Sequence, residues 1–509
     1  MKFIGLRLDE HGANVTYTDG TKVKYCEIAR DLQIKHYGYS NDLTTWVYLL
    51  DRWNVKVEDI DAICISFDGY LHPEIKTNYD VFSEKIEIPE IDFIGFDCPI
   101  WRVDHHLLHA LSLWPLDKKI DYHFIFDGFG DDFITHSTYQ IIDSKWGYTY
   151  NRGACTNKND LRSLGVIMAE VAMAMKINGV KDDLAGKLMA LRGITNHYSP
   201  EKRKRIIDAL SQLDITDLDH VWSTGCFLEL DFEDAVDAVS VSHEATENIF
   251  ANYFDSKCNN QYKNVGYSGG VALNTVINSK IREKIPGLVI PPHTNDTGIS
   301  LGAVEFLRQE YGQEEFDRTG FPFWQDDQAP PTEPDDETIR ETAEDLANNH
   351  IVGWYQGHGE IGPRALGNRS ILMNPAHPDG KDWINERVKN REWYRPFGAS
   401  VLEEEVSNYF DWKGPSEYML FVMKLLQPEK YPAIAHFDGT CRAQTVNESN
   451  GVYYKLIKEF YKLTGIPMLL NTSLNKGGKP IAARKGDALD IFFNTGMDNL
   501  VYGNHIYGK

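Results

Sequence analysis

Three histidines stand close together in VDHHLLHALS: His105, His106 and His109. On a helix, His105 and His109 lie one turn apart on one face, a spacing from which two imidazoles can hold one metal ion. Two aspartates could complete such a set. Asp127 closes an apolar run in FIFDGFGDD, and Asp296 lies in HTNDTGISLGA. Each sits where a strand or loop gives way to a glycine-rich turn, so its carboxylate could face a cleft. Mixed His and Asp ligands suit iron, manganese or zinc without selecting among them. Taken singly, a packed histidine pair, and aspartates acting as turn residues or helix N-caps, account for the same residues.

Glycine turns are a second theme. Gly128 and Gly130 follow Asp127, Gly269-Gly270 in GYSGGVALN precedes a helix-like run, and Gly298 and Gly302 repeat the pattern. Glycines let backbone amides approach a phosphate, and a helix N-terminus adds positive potential. A two-lobed nucleotide clamp needs units of this kind.

The densest chemistry is GEIGPRALGNRSIL at 359–372, with Arg364 and Arg369 five residues apart. RVKNREWYRPFGASVLEE follows, carrying Arg387, Lys389, Arg391 and Arg395. Arginine forks match phosphate and carboxylate oxygens bidentately. A solvated helix face paired with Glu386 and Glu392 accounts for Arg387 and Lys389, but poorly for Arg364 and Arg369. In AHFDGTCRAQTV, alternation along an extended stretch puts His436, Arg442 and Gln444 on one polar face. TGIPMLLNTSLN reads as an apolar strand that ends in Asn471, Thr472, Ser473 and Asn475. Together these segments suit the binding of one or two phosphorylated small molecules.

The elements that position these residues read as α/β. Phe3 to Leu8, Lys22 to Glu27, Ala62 to Phe67, Phe93 to Phe96 and Tyr122 to Phe126 are strand candidates. His105 to Trp114, Leu161 to Ile177 and Val239 to Phe254 read as helices. TGFPFWQDDQAPPTEPDDET combines four prolines with six acidic residues and little periodicity, as a linker does. The expected organisation is one domain over 1–320, a linker over 321–348 and a second domain over 349–509. No short internal repeat is visible.

Composition narrows the classes. With 509 residues, 42% hydrophobic and 25% charged, the chain is neither disordered as a whole nor short of core. No run of 18 apolar residues suggests a membrane span, and the first residues do not resemble a secretory signal. Seven cysteines without a CxxC pair fit a reducing, cytoplasmic setting. A net charge of −23 argues against a chain-wide nucleic-acid face, though a local patch could survive it.

The blocks GEIGPRALGNRSIL, VKNREWYRPFGASVLEE, HFDGTCRAQTV and TGIPMLLNTSLNKGGKPI resemble those of the ATP-dependent O-carbamoyltransferases. That family includes the nodulation-factor, cephalosporin and tobramycin carbamoyltransferases. DHHLLHA, FDGFGD, SGGVALN and NDTGISLGA resemble its other blocks in the same order. The resemblance implies an N-terminal domain of the actin-like ATPase superfold, similar to the tRNA threonylcarbamoyl-transfer protein, and a YrdC-like C-terminal domain. It implies that carbamoyl phosphate and Mg-ATP yield carbamoyl-adenylate and pyrophosphate in the C-terminal domain. The carbamoyl group then passes to an acceptor hydroxyl in the N-terminal domain, assisted by a metal that the resemblance points to as iron. By the same resemblance, His105, His109, Asp127 and Asp296 are the metal ligands, and Gly128, Gly130, Gly269, Gly270 and Asn274 line the nucleotide. Arg364, Arg369, Lys389, Arg391, Arg395, His436, Arg442, Asn471 and Ser473 surround carbamoyl phosphate and ATP.

The sequence departs from the family pattern in places. His11-Gly12 replaces a His-Asp pair, leaving His11 as the expected general base, and Ala185-Gly186-Lys187 replaces a Glu-Gly-Lys block. Ile361 stands where phenylalanine is usual. The two changes nearest the acceptor suggest an unusual acceptor. It could be a small molecule or the 5-hydroxymethyl group of a modified pyrimidine such as 5-hydroxymethylcytosine, within DNA if the base is flipped. YNRGACTNKNDLR and LRGITNHYSPEKRKR supply local basic stretches for DNA, or simply solvated faces. Two rival readings are a non-catalytic nucleotide-binding scaffold and a sugar kinase of the same superfold.

Overall fold

The computed structural model describes the chain except residues 9–10, 39–44, 67–81, 87–94, 129, 132–133, 142–147, 153–162 and 195–197. Its contacts group into two compact units. The first takes Met1–Gly165, Cys258–Leu273 and Ile285–Asp326; the second takes Val166–Lys257, Asn274–Lys284 and Asp327–Lys509.

The first unit holds two sheets. One comprises β1 (Phe3–Arg7), β2 (Asn14–Thr18), β3 (Val23–Glu27), β4 (Ala62–Ser66), β5 (Ser83–Ile86) and β6 (Ile100–Val103), in the order β3-β2-β1-β4-β6-β5. The other comprises β7 (Tyr122–Phe126), β8 (His136–Ile141), β9 (Tyr148–Arg152), β10 (Val265–Ser268) and β11 (Leu288–Val289), in the order β11-β10-β7-β8-β9. In each sheet the first strand is central, an antiparallel meander runs to one side and two parallel strands to the other, the first sheet adding β5 antiparallel at its edge. A five-strand core, β3-β2-β1-β4-β6 in one sheet and β9-β8-β7-β10-β11 in the other, thus repeats the same strand order and directions. The α/β class is as the alternation of strands and helices predicts.

Period-2 alternation with both faces covered explains why β1 is apolar as far as Leu6. Ile4 and Leu6 pack with Trp46, Leu49 and Leu50, whereas Phe3 packs on the opposite face with Leu107, Leu108 and Ile299. The helix Ile299–Glu310 lies against the helix His105–Leu111, and Gly302 makes this approach possible. A Cβ at Gly302 would run into the Leu108 carbonyl oxygen. Gly302→Ala is therefore expected to destabilise the unit by about 1–3 kcal/mol, read as a lowered urea midpoint.

Two buried histidines make this unit acid-sensitive. Burial pushes His123, on β7, and His293 down to about 4. An unfolded chain protonates histidine near about pH 6.5. Between those values the unfolded state binds protons that the folded state excludes. The stabilisation is complete above the unfolded value and is lost as pH falls towards 4, at about 1.4 kcal/mol per pH unit for each histidine. The melting temperature is expected to fall from pH 7 to pH 5, and His123→Gln should flatten that slope.

The second unit is built on a nine-stranded mixed sheet. Its strands are β12 (Val352–Tyr355), β13 (Arg369–Met373), β14 (Gly398–Leu402), β15 (Phe410–Asp411), β16 (Val422–Leu425), β17 (Thr440–Val446), β18 (Met468–Ser473), β19 (Asn499–Tyr502) and β20 (His505–Gly508). Their order is β15-β16-β17-β14-β18-β13-β12-β19-β20. Both faces are buried. Tyr355, Ile371, Met373, Met468 and Leu470 enter one core, while Val352, Trp354, Leu372 and Leu469 enter the other.

The stretch expected as a linker carries structure of its own. Residues Asp336–Ala347 form a helix that Asp335 caps at the N-terminus by accepting from Thr338 N at 2.9 Å. Ile339, Ala343 and Leu346 recur at helical spacing and pack against Leu456, Ile457 and Phe460 of the helix Val452–Thr464. The two expected helices of the middle region are Leu164–Ala174 and Phe232–Cys258. Nearly all of that region groups with the C-terminal sheet, so the units are not contiguous in sequence. Residues 93–94 of the expected strand and most of YNRGACTNKNDLR lie outside the described residues, while Gly95 and Phe96 are not in a strand.

Candidate functional site

In the first unit, the helix His105–Leu111 begins at Asp104, whose carboxylate caps Leu107 N at 2.8 Å and accepts from Tyr139 Oη at 2.8 Å. The i,i+4 spacing then brings the His105 and His109 rings to a centroid distance of 4.8 Å. Asp127 directly follows β7, and Asp296 opens the turn leading into the helix Ile299–Glu310. One atom from each of His105, His109, Asp127 and Asp296 converges within 4.8 Å, and all four residues are buried.

Each carboxylate has one oxygen anchored and the other turned to the imidazoles. Asp127 Oδ1 accepts from Gly128 N at 2.7 Å and Gly270 N at 3.0 Å. Its Oδ2 lies 3.1 Å from His105 Nε2 and 2.9 Å from His109 Nε2. Asp296 Oδ2 accepts from Arg7 Nη2 at 2.9 Å, while its Oδ1 lies 3.6 and 3.4 Å from the same two nitrogens. His105 Nδ1 is 3.3 Å from Ser66 Oγ, a second contact that orients the ring. Two nitrogens and two oxygens, all but that of His109 oriented from behind by a second contact, fit a divalent ion.

The charges agree with that fit. Burial alone would raise Asp296, but Arg7 and then His105 hold it well below the usual carboxylate range. For Asp127, burial and Asp296 are outweighed by the bonds from His105 and His109, and it too is lowered. Burial opposes protonation of His105, yet Asp296 and Asp127 push it up to about 9. The cluster thus balances its carboxylates with Arg7 and a His105 proton that a divalent ion would displace.

Other predicted residues fall around this centre or away from it. His11 Nε2 lies 3.6 Å from Asp296 Oδ2, with its side chain 49% exposed, so it sits at the solvent side. His106 is outside the set, bonded through Nδ1 to Ser137 Oγ at 2.8 Å, and a Cβ at Gly130 would press on its ring. Gly130 N and Gly269 N donate to the carbonyls of Ile134 and Thr294. The four glycine amides are thus directed at Asp127 or at backbone, not at an open phosphate cradle. Asn274 is the N-cap of the helix Thr275–Lys284, accepting from Ile277 N at 3.2 Å, and its Nδ2 meets His243 Nε2 at 2.9 Å.

The second unit carries a pocket of about 140 Å³ lined by Arg364, Lys381, Arg391, Arg395, His436 and Arg442, among others. Arg364 comes from the loop joining β12 to β13. That loop is held by a polar ladder across β17, β14 and β18. Ser400 Oγ donates to Gln444 Oε1 at 2.8 Å and accepts from Asn471 Nδ2 at 2.9 Å. Gln444 Nε2 then donates to Leu366 O at 2.9 Å, and Asn471 Nδ2 to Ala365 O at 3.2 Å. The buried Glu360 carboxylate accepts from Leu366 N. Gly367, at φ +115°, closes the loop where a Cβ would strike the Tyr453 ring.

The pocket is electrostatically strained. Burial, then Arg442, Arg395 and Arg391, hold Arg364 well below the ordinary arginine range. Burial and the same neighbours lower Arg391, and burial pushes Arg442 down to about 10. Cations crowded out of water in this way await an anion. Burial also pushes His436 down to about 4, so it is neutral at pH 7. It bridges Phe397 O at 3.2 Å and Thr440 Oγ1 at 3.2 Å. His436 precedes β17, so only Arg442 and Gln444 share the predicted alternating face.

Arg369, Lys389, Asn471 and Ser473 are not among the residues lining this pocket. Arg369 is fully buried, pairs with Asp327 at 2.7 Å, donates to the carbonyls of Gln356 and Gly357, and stacks 3.5 Å over Tyr355. Lys389 Nζ donates to the Ser473 carbonyl and to Asn475 Oδ1, the latter at 2.7 Å. Ser473 Oγ also donates to Asn475 Oδ1 at 2.7 Å. These residues hold the scaffold.

Three residues with clear positions escaped the sequence reading. Arg7 is a charge inside an apolar strand, and that anomaly was its signal. Arg192 and Asp438 line the pocket 2.5 Å apart, with Arg192 also paired to Glu247 at 2.8 Å. Neither has a local signature. In the basic helix Pro200–Leu210, Arg203 pairs with Glu244 at 2.5 Å and Lys202 lies 3.6 Å over Tyr198.

Residues 343–509 match the family model for the carbamoyltransferase C-terminus. The chain is 36% identical over 271 residues to nodulation protein NolNO of Sinorhizobium fredii, covering 48% of this chain and 40% of that protein. It is also 36% identical over 266 residues to nodulation protein NolO of Bradyrhizobium diazoefficiens, covering 48% of each. The chain thus spans about half the length of the curated relatives it matches. Among solved structures it aligns with component A of (R)-2-hydroxyglutaryl-CoA dehydratase from Acidaminococcus fermentans at TM-score 0.38 and 11% identity, over 62% of this chain and 100% of that one. Residues 343–509 thus match a carbamoyltransferase C-terminus, and about half of the chain is similar to nodulation proteins. No described helix is long and apolar enough to cross a membrane.

Proposed function

We propose that the protein is an ATP-dependent O-carbamoyltransferase in which the second unit activates the carbamoyl group and the first transfers it. The observation that carries this reading is the cluster of half-buried arginines Arg364, Arg391, Arg395 and Arg442 around one pocket, which lies within the segment matching the carbamoyltransferase family. Carbamoyl phosphate is a dianion and ATP carries more charge, so joining them requires several fixed cations in place of water. Mass balance sets the steps. Carbamoyl phosphate and water give phosphate and carbamate, and a carbamate oxygen attacks the α-phosphorus of ATP, expelling pyrophosphate and leaving carbamoyl-adenylate.

Transfer then uses the first unit. His105, His109, Asp127 and Asp296 would hold a divalent ion, which supplies Lewis-acid polarisation of the carbamoyl carbonyl or the adenylate phosphate. His11, half exposed beside Asp296, takes the proton from the acceptor hydroxyl as the carbamoyl group moves and AMP leaves. The acceptor is a hydroxyl compound, either a small molecule or a hydroxymethylated pyrimidine. In the helix Pro200–Leu210, Arg203 is ion-paired and Lys202 lies over Tyr198, which favours the small molecule, since duplex binding draws on open cations.

The test is pyrophosphate release from ATP, with and without carbamoyl phosphate, in the absence of any acceptor. Carbamoyl-phosphate-dependent release is expected. ATP binding with no such release, even when pooled hydroxyl acceptors are added, would leave the nucleotide-binding scaffold as the better reading.

A further inference from the structure

The second unit leaves two aromatic rings in solvent at the edge of its cationic pocket. Trp393 is 57% exposed and Phe437 48%. Their rings pack edge to face at a centroid distance of 5.6 Å and an interplanar angle of 83°. Neither ring belongs to the two cores of the C-terminal sheet. Packing of the fold therefore does not explain why a tryptophan, among the most costly side chains to leave wet, stands here.

Their neighbours point to a ligand. Trp393 lies in the segment that carries Arg391 and Arg395, and Phe437 stands between His436 and the strand carrying Arg442. Phe437 itself lines the pocket. Lys381, another lining residue, places its ammonium 4.5 Å over the Phe437 ring. The pocket thus has a cationic interior and an aromatic lip. Carbamoyl phosphate has no use for the lip, being small and wholly polar. A nucleoside triphosphate has both matching ends, a polyanion and a flat base.

Resting on the adenylate-forming reading above, we propose that Trp393 and Phe437 are the base-stacking ledge of the nucleotide site. Stacking tolerates any base, because every base has a π-face, so the ledge supplies affinity for a nucleotide over inorganic polyphosphate rather than choice of base.

The experiment measures binding of ATP and of inorganic tripolyphosphate to the full chain by calorimetry, without turnover. Wild type is compared with Trp393→Ala, Phe437→Ala and Trp393→Phe. Trp393→Ala is expected to weaken ATP by about fivefold to a hundredfold and to leave tripolyphosphate within about twofold. Phe437→Ala should act in the same direction, and Trp393→Phe should restore most of the affinity. Equal weakening of both probes, no weakening of either, or a wild type that binds ATP no more tightly than tripolyphosphate would overturn the ledge. The two readings fail separately. Pyrophosphate release with unaltered ATP affinity in Trp393→Ala removes the ledge alone, whereas selective loss of ATP affinity without any pyrophosphate release removes the adenylation step alone.

Discussion

Arg364→Ala is expected to lower carbamoyl-phosphate-dependent pyrophosphate release by about a hundredfold to a thousandfold, the usual effect of removing one preorganised donor from developing charge. Its stability should move differently. Arg364 is half-buried beside Arg442, Arg395 and Arg391, and loss of water and then these neighbours lower its affinity for a proton. Removing it relieves that repulsion, so the ligand-free melting temperature should fall much less than when a buried ion pair is broken. This is the expected behaviour of a site whose charges are arranged for a ligand and not for the fold.

Arg369→Ala makes the contrast. It breaks a buried pair with Asp327 and leaves that carboxylate without its main cation. A loss of about 3–5 kcal/mol of stability is expected from such a break. Calorimetric melting and the pyrophosphate assay on the two variants together separate the roles. If Arg364→Ala melts early and Arg369→Ala does not, the division between pocket and scaffold is reversed.

His109→Ala is expected to stop carbamoyl transfer while leaving pyrophosphate release within about twofold of wild type, because the two half-reactions use different units. His109 is fully buried and its Nε2 reaches both Asp127 and Asp296. Without it, two carboxylates face His105 alone. Metal bound per chain, measured by elemental analysis after dialysis, should drop sharply, since about tenfold to a hundredfold in affinity is lost even when an outer partner is removed. AMP release in the presence of pooled hydroxyl acceptors reads the transfer step. Should that release survive in a variant that has lost its metal, the cluster is a hydrogen-bonded structural feature and not the transfer site. Parallel loss of pyrophosphate release would instead unite the two half-reactions in one place.

Much of the His105, His109, Asp127 and Asp296 cluster was legible in the sequence because helix geometry is local. The i,i+4 spacing of His105 and His109 fixes a shared face wherever the helix sits. Asp127 and Asp296 stood out as carboxylates at element ends, which is where the structure uses them. Alternation likewise foretold the α/β class, and the density of arginine in 359–395 pointed to an anion site within a chain of net charge −23.

Local pattern could not say which of those polar groups were already satisfied. Arg364 and Arg369 look alike in GEIGPRALGNRSIL, yet Asp327, 42 residues away, claims one of them. Arg7 anchors Asp296 across 289 residues. The glycine amides read as a phosphate cradle because free amides and amides donating to a carboxylate have the same sequence. The twofold topology of the first unit left no short repeat, since hydrogen-bonding order conserves strand direction and not side chains. The acidic, proline-rich stretch read as a linker because charge and proline mask a period of three to four over Ile339, Ala343 and Leu346. By itself the sequence determined which chemistry was available, through residue type and short-range geometry. Only the tertiary structure decided which donors stayed open to a ligand, because that depends on partners brought together from distant parts of the chain.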